Sequence, residues 1–194
     1  MNMHSCPISR RRMITGTVQA AAGLTLGSAL AALSAEPEKR RFKIGACDWS
    51  IGKMCSPDAM KGAKEIGLDG VQVSLGTVAN SMHLRKAEVQ QQYKAAASQN
   101  GVEIASLAIG EMNQVPYKSD SRTIEWVSDS VDVMQALGVK VCLLAFFGKG
   151  DLRADKPGVD EVVARLKAVA PKAEKADVIL GIESWLSAEQ HMDI

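Results

Sequence analysis

Carboxylates are the first residues to weigh in this chain. Glu183 directly follows the apolar run Val178-Ile179-Leu180-Gly181-Ile182, at the mouth of what reads as a buried strand. A carboxylate in such a place is poorly solvated and needs a cation or hydrogen-bond donors. Three readings stay open for it: a metal ligand, a proton shuttle, or a structural ion pair with a lysine of a neighbouring loop. Glu189, six residues on, reads by itself as a solvated helix residue. Glu111 and Asn113 close another apolar run, where they could reach a substrate hydroxyl or cap a loop. Trp49 and Trp185 could form apolar walls that stack on a sugar, or could simply cover the core. His83 and His191 are single histidines without ligand spacing and read as surface or loop residues. Cys47, Cys55 and Cys142 form no CxxC or other metal-type pattern. Cys47 and Cys142 sit in apolar runs and read as buried small hydrophobes rather than a disulfide or a nucleophile.

The elements that must carry these residues repeat one unit. Phe42–Cys47, Val71–Leu75, Val102–Ile109, Val139–Phe147 and Val178–Ile182 read as strands. Between them lie helical stripes: Ala59, Ala63 and Ile66; Val89, Tyr93 and Ala96; Ile124, Val127, Val131, Met134 and Leu137; Val162, Leu166, Val169 and Ala173. Ser56-Pro57 looks like the N-cap and first position of the first helix. Gly67, Gly101 and Gly138 stand where a left-handed helix end favours glycine, whereas the fourth joint, Ala176-Asp177-Val178, lacks one. Strand–helix alternation with short joints predicts a parallel sheet with helices outside. A (β/α)8 barrel and an open doubly wound sheet both fit. No GxGxxG or GxxxxGK[ST] follows the first strand, which favours the barrel.

In a parallel barrel, chemistry sits at the C-terminal strand ends. These fall at Asp48-Trp49-Ser50, Ser74-Leu75-Gly76, Gly110 to Asn113, Phe146 to Lys149, and Gly181 to Trp185. The candidate site residues therefore cluster at one end of the fold.

Charge and the first residues narrow the setting. The net charge is +1. The first 35 residues hold Arg10, Arg11 and Arg12 and no acid, so the rest carries 20 basic against 22 acidic residues. A near-neutral domain has no electrostatic footprint for nucleic acid. Ser9-Arg10-Arg11-Arg12-Met13-Ile14 precedes a mildly apolar stretch with small residues at Ala29 and Ala31. That order reads as a secretory signal, and its Ser-Arg-Arg-x-Met-Ile run resembles the twin-arginine motif; an uncleaved membrane anchor is the alternative. Residues 1–35 are thus expected to be a signal segment, 36–41 a charged linker and 42–194 the domain. The expected destination is the periplasm, with no stable membrane insertion after cleavage.

The chain resembles the sugar phosphate isomerase/epimerase family with the xylose isomerase-like barrel. The likeness rests on Lys43-Ile44-Gly45-Ala46-Cys47-Asp48-Trp49-Ser50, on Gly67-Leu68-Asp69-Gly70-Val71-Gln72-Val73 and on Gly181-Ile182-Glu183. It implies a divalent metal (Mn, Mg, Co or Zn) held by Glu, Asp, His and a second Glu. Of these ligands only the first maps here, onto Glu183, which would also act as acid or base; the metal site is incomplete in this chain. Related ketose epimerases carry a substrate-contacting glutamate at the spacing of Glu189. Trp49, Glu111 and Glu189 are the expected substrate-binding residues. The resemblance implies a metal-dependent isomerase or epimerase acting on a sugar by proton transfer next to a carbonyl. A lyase or hydrolase on the same barrel, or a non-catalytic exported carbohydrate-binding protein, are the rivals. A closed barrel needs roughly 200–250 residues. About four and a half units are therefore expected to be an N-terminal part, inactive alone, with homo-oligomerisation left open.

Overall fold

The computed structural model describes residues 42–192 and 194. The expected signal segment and linker lie outside them. The elements run β1 (Gly45–Cys47), α1 (Ala59–Ile66), β2 (Gly70–Ser74), α2 (Ala87–Asn100), β3 (Glu103–Ile109), α3 (Arg122–Leu137), β4 (Val141–Phe146), α4 (Lys156–Ala176), β5 (Ile179–Ser184) and α5 (Ala188–His191). All neighbouring strands pair in parallel, and their order in the sheet is their order in sequence. A doubly wound sheet reverses its strand order at a switch point; sequential order is that of a barrel wall. The fork left by the sequence closes on the barrel, of which this is a part. Among the described residues no helix is long and apolar enough to cross a membrane.

Alternation along the strands sorts side chains between two layers. Val71, Val73, Leu107, Ile109, Cys142, Leu144 and Phe146 face the helices and are fully buried. Met60, Tyr93, Val127, Val131, Met134 and Val162 meet them from the helix side. The opposite, barrel-interior face is different. Cys47 donates its thiol proton to Gln72 Oε1 at 3.2 Å, and Gln72 Nε2 donates to Ser106 Oγ at 3.0 Å, which makes a polar row across three strands. Further along, Val141 and Ile179 pair in register and stand 37% and 61% exposed. A β-bulge between Val71 and Gln72 shifts the register of β2 against β3.

Three local expectations change. β1 is shorter than the apolar run suggests: Phe42 and Ile44 are exposed, and Ile44 is held by its N–H to Asp69 Oδ2 at 2.8 Å. Ser56 does not cap α1; its Oγ accepts from Asp58 N at 3.2 Å in a turn that precedes the helix. Met60 joins Ala59 and Ala63 in the buried face of α1, and Ile66 turns outward at 61% exposure. The joint without glycine keeps the geometry of the others: Asp177 adopts φ 53°, against φ 89° at Gly67. An aspartate tolerates that region better than most residues, and Lys140 Nζ binds its carbonyl at 2.9 Å.

Candidate functional site

Short 3-10 turns follow three of the strands at their C-terminal ends: Val78–Asn80 after β2, Gly110–Asn113 after β3 and Gly148–Gly150 after β4. At this end of the sheet lies a cleft of about 470 Å³. Trp49 and Met54 line it from the β1 side, Ser74 and Gly76 from β2, and Gly110, Glu111 and Asn113 from β3. Leu143, Ala145 and Phe147 line it from β4, and Glu183 from β5. A shallower hollow of about 570 Å³ lies at the helix–strand joints, lined by Gly101, Val102, Glu103 and Gly138 among others. Its charges are already used: Lys94 Nζ binds Ala136 O, and Glu103 pairs with Lys43. The strand-end cleft, by contrast, holds a carboxylate, Glu183, that no other described residue engages.

Each corner of the cleft is fixed differently. At β1 the carboxylate of Asp48 is fully buried. Its Oδ2 accepts from Ser74 N at 2.9 Å and from Cys55 N at 3.1 Å, and its Oδ1 accepts from Ser74 Oγ at 2.8 Å. Asp48 thereby ties the Trp49–Cys55 segment to the end of β2. Gly76, at φ 142°, lets the next loop turn back over the strand; a Cβ there would stand 2.5 Å from Met82 Cα. Glu111 Oε1 accepts from Val78 N at 3.1 Å, and Asn113 Oδ1 accepts from Phe147 N at 2.8 Å. Both residues of the third strand end thus anchor neighbouring loops while still lining the cleft.

Glu183 is placed inside β5, in register with Ala145, so its side chain shares the interior face with Ala145. It is exposed, where the sequence suggests a poorly solvated carboxylate. Among the described residues no hydrogen bond or ion pair holds its carboxylate, so the structural-pair reading finds no lysine. Burial pushes the neighbouring Cys47 thiol up, and the charges of Asp48 and Glu183 add to that.

Trp49 reaches the cleft, 40% exposed. Trp185 does not line it. Its ring packs edge-on against Phe147, centroids 5.1 Å apart, and carries the Arg153 guanidinium 4.4 Å from its own centroid; it props the Phe147 wall from outside. Glu189 is not among the residues at the cleft. It lies on α5, where Ser187 Oγ donates to it at 2.7 Å and holds its carboxyl below the usual range. His191 pins the same loop: Nδ1 donates to Ser187 O at 2.9 Å, leaving Nε2 to accept from Ser184 Oγ at 3.0 Å. His83 is half-buried beside Tyr93, and its Nε2 is buried without a partner. The structure adds Met54 to the candidates and, from the strand ends already read, puts Ser74, Gly76 and Phe147 at the cleft. The rule that picked Glu183, a carboxylate straight after an apolar strand, also picks Asp48, and through it Ser74.

The sequence profile of the family described as Xylose isomerase-like TIM barrel matches residues 60–193. The chain belongs to this family. No curated protein matches the sequence. Among solved structures, a xylose isomerase domain protein from Planctomyces limnophilus is 16% identical with a TM-score of 0.60, over 80% of this chain and 58% of the other. A D-psicose 3-epimerase from Clostridium cellulolyticum H10, solved with D-tagatose, is 15% identical with a TM-score of 0.55, over 72% and 51%. A xylose isomerase-like TIM barrel protein from Mycobacterium smegmatis in complex with magnesium is 12% identical with a TM-score of 0.56, over 73% and 54%. This xylose isomerase-like chain therefore spans little more than half the length of the structures it matches.

A divalent cation is tested by the donors present. Glu183 offers a hard, unpartnered oxygen pair of the kind such cations bind. Among the described residues no three His, Cys, Asp or Glu side chains converge to hold a metal. The fit is therefore that of one corner of a site.

Proposed function

We propose that this chain forms part of a metal-dependent sugar isomerase or epimerase that moves a proton on a carbon next to a carbonyl. The reading rests above all on the unpartnered carboxylate of Glu183 in the strand-end cleft, which Trp49 and Phe147 also line. Membership of the xylose isomerase-like family adds to it. So does the likeness to the solved structure of a D-psicose 3-epimerase.

In this reading Trp49 and Phe147 face the C–H surfaces of the sugar and exclude water from the reacting carbon. Glu183 is the residue that would hold a divalent cation, and its carboxylate is a group in this cleft able to take up a proton. A bound cation would polarise the carbonyl and stabilise the enediolate charge. Glu111 keeps one oxygen on Val78 N and has the other for a sugar hydroxyl. The remaining ligands and the second proton-transfer group would come from further strands of the same barrel, so the chain acts as a part of a longer protein. Export through the signal-like residues 1–35 belongs to the same proposal.

Product analysis of keto-sugars incubated with the full-length protein and manganese in deuterated water tests this. Epimer or isomer formation with deuterium at the carbon beside the carbonyl is expected, and Glu183→Gln should abolish both. Turnover and metal binding that survive Glu183→Gln would sink the site assignment.

A further inference from the structure

Phe147 is held twice, once by its backbone and once by its ring. Its N–H donates to Asn113 Oδ1 at 2.8 Å, which fixes the main chain where β4 ends. Its ring meets the edge of Trp185, from the end of β5, at a centroid distance of 5.1 Å. Trp185 is 52% exposed and lies outside the cleft lining, whereas Phe147 is part of it. Arg153 covers the Trp185 ring with its guanidinium 4.4 Å from the centroid. Asp151 grips that guanidinium as a fork: Nε donates to Oδ1 at 3.2 Å and Nη2 to Oδ2 at 2.8 Å. Lys118, from the segment between β3 and α3, donates to the Asp151 carbonyl at 2.5 Å. An ion pair as exposed as Arg153 and Asp151 adds little to stability. Its consequence is orientation: it places the cation on the ring that backs Phe147.

We propose, on the sugar isomerase or epimerase reading above, that Trp185 backed by Arg153 is a positioning residue: it holds the Phe147 ring ready for the sugar without touching the sugar itself. A ring free to change rotamer must be ordered each time a ligand binds, and association bears that cost. A ring ordered beforehand removes it. The saving is the same in the bound ground state and in the transition state, so it belongs to KM and not to kcat.

Steady-state kinetics of the full-length protein with manganese and D-fructose, D-tagatose or D-psicose test this. Trp185→Ala should raise KM about fivefold and leave kcat within about twofold, the size expected for ordering one side chain. Trp185→Phe keeps a ring edge against Phe147 and should recover most of the loss. Arg153→Ala should raise KM about twofold, and it carries the test if Trp185→Ala fails to fold. A double-mutant cycle decides whether the effect runs through Phe147. In a Phe147→Ala background, neither Trp185→Ala nor Arg153→Ala should change KM further. A KM that the single variants leave unmoved, or an effect that persists at full size without Phe147, overturns the proposal alone. So does a fall in kcat with weakened manganese binding, which would make Trp185 a support of Glu183, two residues before it. If the wild type turns over none of the three sugars, the isomerase reading falls and the positioning role falls with it.

Discussion

Asp48 and Glu183 end strands at the same end of one sheet, yet their surroundings are opposite. Asp48 is fully buried and accepts three hydrogen bonds, two of them from backbone. Glu183 is exposed, and among the described residues no group holds it. A buried carboxylate with every oxygen engaged is part of the frame, because losing it strands the donors that converge on it. A carboxylate in a cleft with no protein partner contributes little to the frame and is available to a ligand. Residue type and position relative to the strand are alike, so the number of donors around each carboxylate separates a positioning role from a binding one.

The largest consequence falls on the buried member. Asp48→Ala should destabilise the domain by about 3 kcal/mol, since it leaves Ser74 Oγ and two N–H groups without their acceptor. Urea denaturation measures it, with an unchanged m-value showing that two-state unfolding persists. A cost no greater than that of Glu183→Ala would erase the contrast. Next comes the loop that Asp48 helps to hold. Gly76→Ala places a Cβ 2.5 Å from Met82 Cα at a φ of 142°, and should cost about 2 kcal/mol in strain. Ala substituted at Gly67, where a Cβ meets nothing within 4 Å, is the matching control: it carries the strain of φ 89° without a clash.

Much of this frame is legible in the sequence. The joints Gly67, Gly101 and Gly138, the stripes on α3 and α4 and the spacing of the apolar runs give a parallel βα array before any coordinates. The cleft is legible in outline, because strand ends can be counted. Its division of labour is not. Whether Glu111 and Asn113 touch ligand or cap loops depends on where Val78 N and Phe147 N arrive, and those lie 33 and 34 residues away in the chain. Trp185 shows the same limit. Its composition fits a sugar wall, but its place between Phe147 and Arg153 follows from packing that no local pattern encodes.

A smaller effect probes the β2 corner through pH. Burial holds the imidazole of His83 below its ordinary pKa, with Asp48 pulling it up and Lys86 pushing it down. Tyr93 from α2 closes its other side. The unfolded chain takes up that proton first as pH falls below about 6.5. Stability should therefore decline below that pH and level off once the folded protein also binds the proton. Urea midpoints measured between pH 7.5 and 5 should show this slope. His83→Phe should flatten it, and a slope unchanged by that substitution would assign it to other groups.

The smallest change in stability is expected at Glu183, and it carries the most information. Glu183→Gln keeps size and removes charge from a side chain with no protein partner, so urea midpoints without metal should move by less than about 0.5 kcal/mol. Manganese should then separate the two proteins. A cation at about a hundred times its Kd stabilises the state that binds it by about 2.7 kcal/mol. The wild type should show a rise in Tm under manganese, and Glu183→Gln should show none. If both rise equally, the cation binds elsewhere and the open carboxylate is only a solvated strand end. If Glu183→Gln instead stabilises the metal-free protein well beyond 0.5 kcal/mol, Glu183 is under repulsion from Glu111 and Asp48. The contrast with Asp48 would then be one of strain, with availability to a ligand no longer its cause.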